Sequence, residues 1–155
     1  MPKSKPVKKA KPAAGKHQYA ALPIRVGAGG GWEVLLLTSR DTGRWVIPKG
    51  WPGRNLTPRA AAAREAYEEA GLEGVIRPSA PIGRYRYAKR LNGGAIRITV
   101  KVFLLRVERQ LDTWPEQDQR RTRWLSPEQA AALVDEPELA AILLKTHTLA
   151  GRSGS

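Results

Sequence analysis

Residues Gly50–Leu72 read GWPGRNLTPRAAAAREAYEEAGL. The opening Gly50, Pro52 and Gly53 predict irregular backbone. Thr57 then suits a helix N-cap, and Pro58 fits the first helical position, where its missing N–H has no intrahelical role. Residues 58–70 are dense in strong helix formers, and Gly71 suits the left-handed residue that ends a helix. At about 100° per residue, Glu65, Glu68 and Glu69 fall on one face within a single turn. Arg64 lies beside Glu68. Ala60, Ala63, Tyr67 and Ala70 are predicted to form the packing face. Like charges spaced this closely repel and raise one another's pKa. A hard divalent cation reverses that penalty because it takes several carboxylate oxygens. On spacing alone, a solvated acidic face and a metal-binding face read the same.

Working outward, Tyr19–Val26 reads as a strand and the glycines at 27 and 29–31 as a loop. Trp32–Thr38 is a short apolar run suited to a buried strand. Asp41-Thr42-Gly43 is a turn, and Trp45-Val46-Ile47 a brief strand stopped by Pro48. Beyond the helix, Ile82–Leu91 and Ala95–Val107 flank Asn92-Gly93, a strong hairpin signal. Residues 108–121 read as a polar loop and Arg123-Trp124-Leu125 as a short extended piece. Ser126, Pro127 and Gln129 fit a capping box, and a last helix is expected from Pro137 to Leu149. Strands, helix, strands, helices is the order of a mixed α/β domain. The expected organisation is a disordered Lys/Pro-rich tail over 1–16, one domain over 17–150, and a frayed end over 151–155.

The chain has 155 residues and no cysteine, which excludes disulfides, Cys-ligated zinc and a Cys nucleophile. No apolar run approaches the roughly 18–20 residues of a membrane span. The Lys-rich start has no apolar stretch behind it, so no secretory signal is expected and the cytoplasm is the default compartment. The net charge is +13, and removing the six lysines of residues 1–16 leaves the rest at +7. A basic fold suits a polyanionic partner: a phosphorylated metabolite, nucleic acid or an anionic membrane. An acidic helix is out of character in such a chain. His17 and His147 read as surface residues, and Trp32, Trp45 and Trp124 as sheet-packing ones. Trp51, beside the helix, is placed either in a bland loop or against a pocket.

The stretch Gly50–Leu72 resembles the Nudix box, G-x5-E-x7-R-E-U-x-E-E-x-G-U, with U aliphatic. Gly50, Arg64, Glu65, Ala66, Glu68, Glu69, Gly71 and Leu72 fall in register, while Leu56 stands where the pattern has its first Glu. The resemblance implies an α/β/α sandwich with a mixed β-sheet, the box helix on one face and C-terminal helices on the other. It implies hydrolysis of a phosphoanhydride with Mg²⁺ or Mn²⁺ as cofactor. Glu65, Glu68, Glu69 and the carbonyl of Lys49 would hold the metal. Glu68 doubles as a candidate base for water, and Arg64 supports catalysis, with Glu68 as the partner left to it by Leu56.

Arg44, Trp45, Pro48 and Gly50 also match the approach to the box in diphosphoinositol polyphosphate phosphohydrolases, and Pro48-Lys49-Gly50 is similar to diadenosine tetraphosphate hydrolases. The resemblance assigns Arg25, Ser39, Arg40, Lys49 and Arg97 to substrate phosphates, with a further basic cluster at Arg120-Arg121-Thr122-Arg123. The implied function is a Nudix pyrophosphohydrolase acting on a polyphosphorylated small molecule. The alternative is a non-catalytic Nudix-fold binder of nucleotides or phosphates. Nucleic acid is a less favoured partner.

Overall fold

The computed structural model describes residues 16–153; all but the last residue of the expected 1–16 tail, and the last two residues of the chain, lie outside the described part. The strands are β1 (His17–Val26), β2 (Trp32–Thr38), β3 (Trp45–Val46), β4 (Lys49–Gly50), β5 (Leu72–Ile76), β6 (Gly83–Leu91), β7 (Gly94–Gln110) and β8 (Thr122–Leu125). The helices are α1 (Pro58–Ala70), α2 (Pro127–Leu133), α3 (Pro137–Leu144) and α4 (Thr146–Ser153). One mixed sheet runs β3-β2-β1-β7-β5; β8 adds to β2, β4 to β1 and β6 to β7. Its single parallel pairing joins β1 to β7, with Ala20 opposite Val102 and Leu22 opposite Leu104.

Strand alternation divides the core in two. Leu22, Ile24, Val34, Leu36, Val100, Val102 and Leu104 pack toward Ala130, Leu139, Ile142 and Leu143 of the C-terminal helices. Ala21, Leu35, Leu37, Phe103 and Leu105 pack toward Ala62, Ala66 and Ala70 of α1. The result is the three-layer sandwich expected from the sequence, with helices on both faces.

Helix α1 has the expected bounds. Thr57 Oγ1 accepts from the Ala60 N–H at 3.2 Å, and Gly71 closes the helix at φ 69°. Its packing face differs from expectation. Tyr67 is exposed, and the buried stripe is Ala62, Ala66 and Ala70, with Ala61 and Glu69 beside it. The sheet beneath already supplies large side chains, so only small ones fit between helix and strands at interior density. That rotation tucks Glu69 against the sheet and leaves Arg64 outside.

Two further expectations are corrected, and one strand stands where no element is predicted. Lys49–Gly50 is a strand, β4, set by pairing with Tyr19 and Ala20. Residues 72–76 form β5, held by the distant β7. The single C-terminal helix is two: α3 closes at Lys145, and α4 runs from Thr146 to Ser153. The Asn92-Gly93 turn is confirmed, with Leu91 paired to Gly94.

Candidate active site

A cleft of about 980 Å³ opens where β4, α1, the β2–β3 loop, the β6–β7 hairpin tip and the segment before β8 meet. Its floor is acidic. Glu65 and Glu69, one turn apart on α1, hydrogen-bond to each other. Burial is the largest force raising the Glu69 carboxyl, to about 9, with the Glu65 bond adding to it and the Arg120 charge opposing. Burial also raises Glu65, as do the charges of Glu68 and Glu116, while its bond to Glu69 and the Arg64 charge act the other way. Burial and mutual repulsion therefore disfavour charge on both carboxylates at once. A Cβ built on Gly50 would run into the Glu65 carboxylate, so glycine permits the close approach of strand and helix.

The walls are mostly cationic: Arg40, Arg44, Lys49, Lys89, Arg90 and Arg120 line the cleft. Burial pulls the Lys49 ammonium below the usual lysine range, opposed chiefly by the Glu69 charge; the ammonium lies 4.8 Å from the centre of the Tyr87 ring. Arg120 is almost fully buried. It donates to Glu116 at 2.9 Å and to the Thr38 carbonyl at 3.1 Å, and it lies 3.6 Å from Glu69. The guanidinium thus ties the loop before β8 to the end of β2 and to the acidic floor. Glu116 is fixed a second time, its N–H donating to the Glu68 carbonyl at 3.0 Å. Arg40 donates to Gln119 at 2.7 Å, and Arg44 pairs with Asp135 at 3.1 Å. Tyr87 donates to Gln18 at 2.7 Å, and Glu136 lines the opposite wall.

Ser39, Arg40, Lys49, Glu65 and Glu69 are thus brought together as the sequence suggested. Arg64, Glu68, Arg25 and Arg97 do not line the cleft. Arg64 donates to Glu68 at 2.8 Å on the outer side of α1, the pairing expected once Leu56 replaced the box Glu. Arg25 is held elsewhere, 2.9 Å from Glu33 and over the Trp124 ring at 4.0 Å. Arg97 stands on an exposed face of β7 opposite Ala88. Sequence reading missed Gln18, Tyr87, Glu116 and Glu136. Nothing local marked Glu116, which stands in a loop that also carries Asp112 and Asp118. Trp51 lines the cleft, and His17 and His147 are exposed.

Among the described residues, no three Asp, Glu, His or Cys side chains stand close enough to hold a metal as they are. Glu68 is turned to Arg64 and Glu116 to Arg120. Yet the chemistry of the floor fits a hard divalent cation. A buried Glu69 and a half-buried Glu65 stand one turn apart with their charged forms disfavoured, and hard oxygen donors in that state gain from a divalent cation.

A NUDIX domain profile matches residues 16–145. The chain belongs to the Nudix family. Among its relatives is Nudix hydrolase 13, mitochondrial, of Arabidopsis thaliana, 36% identical over 110 residues, which are 65% of this chain and 52% of that one. Another is diphosphoinositol polyphosphate phosphohydrolase 3-alpha of Mus musculus, 35% identical over 101 residues, 63% of this chain and 57% of that one. The chain thus spans little more than half the length of these curated relatives. Among solved structures, a binary complex of a C. elegans Ap4A hydrolase superposes with a TM-score of 0.64 at 23% identity, covering 87% of this chain and 98% of that one. The M. smegmatis Nudix hydrolase RenU superposes with a TM-score of 0.59 at 25% identity, covering 89% and 88%. The Nudix fold matches the sandwich described above.

Proposed function

We propose that this Nudix protein is a metal-dependent pyrophosphohydrolase cleaving a phosphoanhydride bond in a polyphosphorylated small molecule of the diphosphoinositol or diadenosine polyphosphate type. The observation that carries the reading is the Glu65–Glu69 carboxylate pair, Glu69 buried and Glu65 half-buried, at the floor of a cleft whose walls are cationic. An acidic floor alone would repel phosphates, and cationic walls alone would bind them without chemistry.

Glu65 and Glu69 would hold Mg²⁺ or Mn²⁺, with the Lys49 carbonyl and Glu68 as further candidate ligands. Bound there, the cation supplies charge neutralisation at phosphate oxygens and a more acidic water. Arg40, Ser39 and the Lys49 ammonium hold the phosphates away from the scissile bond. Arg120 keeps Glu69 and Glu116 oriented; Glu68, held by Arg64 on the outer side of α1, would turn from it toward the floor to act as the candidate base. Phosphoryl transfer needs mainly positioning and charge, and this layout provides both. Arg25, over Trp124, serves the fold in this reading.

The relative from M. musculus is named for diphosphoinositol polyphosphates and the C. elegans structure for Ap4A. Both names fit a clamp for several phosphates. No helix among the described residues is long and apolar enough to cross a membrane. The cytoplasm is kept as the proposed compartment, although several relatives are named mitochondrial. Phosphate release from a diphosphoinositol polyphosphate, a diadenosine polyphosphate and ADP-ribose, with Mg²⁺, Mn²⁺ or EDTA, tests the function. Metal-dependent release, fastest on the two polyphosphorylated substrates, is expected. Tight binding without release under every metal condition would establish the non-catalytic binder instead.

A further inference from the structure

The edge of a sheet offers unpaired N–H and C=O groups to any further strand, and proteins block such edges with bulges, cover or charge. On β5 a bulge falls between Glu73 and Gly74, and Glu73 is tied to Arg109 at 2.7 Å. On β6 the Arg86 N–H is taken by Glu138 of α3 at 2.9 Å. β8 has neither device. It pairs with β2 alone, in unbroken register from Thr122 opposite Leu37 to Leu125 opposite Val34. Just before it, the Thr38 N–H donates to the Arg121 carbonyl at 3.0 Å. Bonded and non-bonded residues alternate along an antiparallel ladder, so Arg123 and Leu125 bond to β2 in turn. Thr122 and Trp124 therefore aim their N–H and C=O groups away from the sheet, where no other backbone meets them among the described residues.

The side chains of this edge alternate too. Arg121 and Arg123 are exposed and share one face. Their guanidiniums lie over the Trp45 ring, 5.6 and 5.9 Å from its centre, and neither makes an ion pair among the described residues. The ring holds two cations side by side without neutralising them. Thr122 and Trp124, both half-buried, belong to the other face. The cationic stretch is short. Exposed Asp118 precedes it, exposed Glu128 follows it, and Arg120 is committed to Glu69 and Glu116.

We propose that the outer edge of β8 is a docking strand for an extended acidic peptide of a partner protein, which joins the sheet with acidic residues at alternate positions opposite Arg121 and Arg123. Main-chain bonds give such an added strand its affinity, and alternate side chains give it specificity. Opposite charges directly across two strands stabilise the pairing. The open edge selects a peptide over other polyanions. Thr122 and Trp124 each present one donor and one acceptor, which another main chain meets in alternation and a row of phosphates, acceptors only, does not. The flanking acids Asp118 and Glu128 favour a match of two charges over a long polyanion. A second copy pairing through its own β8 would bring arginines against arginines. Residues between the two acids fall beside Thr122 and Trp124, where β-branched side chains fit.

The test uses the full chain and a labelled, end-blocked peptide, Thr-Val-Glu-Val-Glu-Thr, read by fluorescence polarisation. Two control peptides carry Gln in place of both Glu, or N-methyl groups on both Val amides, whose N–H groups would bond to the edge. The wild type should bind the acidic peptide, and more weakly as salt rises. The N-methylated peptide should bind about tenfold more weakly, the scale of two lost hydrogen bonds. The Gln peptide, and the Arg121→Ala/Arg123→Ala variant with the acidic peptide, should lose a similar factor. Thr122→Pro removes one outward N–H and leaves the bonds to β2, so it should weaken binding while keeping the fold. With peptide bound, hydrogen exchange should slow at the Thr122 and Trp124 amides and hold at Arg123, already bonded to β2. No binding by the wild type would overturn the docking strand. So would equal binding of the N-methylated peptide, or unchanged exchange at Thr122 and Trp124, either of which would leave only a patch for polyanions in general. If Thr122→Pro fails to fold, the N-methylated peptide on the wild type decides alone. A wild-type dimer in sedimentation that Arg121→Ala/Arg123→Ala strengthens and the peptide does not dissolve would put a second copy on the edge instead.

Discussion

Glu65 and Glu69 sit one turn apart on α1, each against a close neighbour. Gly50 crowds one carboxylate, and Arg120 stands 3.6 Å from the other. Without metal the pair is a liability to the fold, so neutralising one member should separate stability from activity. Glu69→Gln should cut turnover at least a hundredfold, the scale of losing one positioned catalytic group. Its melting temperature in EDTA should equal or exceed that of the wild type. Mg²⁺ should raise the wild-type melting temperature, as any ligand of the native state does, and leave the variant's nearly unmoved. A wild-type rate in the variant would remove the pair from the chemistry. Gly50→Ala makes a complementary test. The added methyl meets the flexible end of Glu65 and not backbone, so the carboxylate shifts and the fold stays. Circular dichroism should match the wild type while turnover falls at least tenfold; unchanged turnover would show that the Glu65 position is not critical. These carboxylates were legible because the box spacing is local. Glu116 was not, because only the fold returns the loop before β8 to α1.

Local signals explain which elements could be read in advance. Helix α1 is bounded by Thr57, Pro58 and Gly71, each acting within its own turn, and its ends matched expectation. The Ser126 capping box formed as spaced, with both reciprocal bonds present. By contrast, β4 is two residues long and exists only because β1 pairs with it. The break between α3 and α4 falls in a continuous helical pattern. It is marked by Thr146, whose buried hydroxyl donates to the Leu143 carbonyl at 2.6 Å. The α1 terminus offers an element-level test. Gly71 holds a left-handed φ of 69°, and the Trp114 ring packs where a side chain would start. Gly71→Ala therefore combines backbone strain with overpacking and should cost about 1–3 kcal/mol. Urea denaturation would read it as a lower midpoint with an unchanged slope. A midpoint equal to the wild type would mean that Trp114 moves freely and does not fix the loop carrying Glu116.

Across the whole molecule, positive charge is arranged by depth. Lys49 and Arg120 lie buried beside the acidic floor, Arg40 and Arg44 stand in its walls, and the hairpin face carries the charge outward. Arg25, assigned to phosphate on the resemblance, instead belongs to the sheet through Glu33 and Trp124. This layering separates two kinds of arginine by a kinetic measurement. A charge-assisted contact to phosphate contributes roughly 1.5–3 kcal/mol, so Arg40→Ala should lower kcat/KM about ten- to a hundredfold. The loss should be larger on a diphosphoinositol or diadenosine polyphosphate than on ADP-ribose, whose fewer phosphates leave the outer wall unused. Arg25→Ala should leave kcat/KM within about twofold on both and lower stability by roughly 0.5–1 kcal/mol, the worth of an exposed cation–π contact. Raising salt from 50 to 300 mM should weaken the polyphosphorylated substrates most, because the outer charges act through water and are screened. If Arg25→Ala matched Arg40→Ala, Arg25 would have to leave Trp124 and turn to the substrate. If both substrates lost equally in Arg40→Ala, the cleft would be reading a single phosphate, and its specificity would lie with the uncharged part of the substrate, where Gln18, Trp51 and Glu136 line the wall.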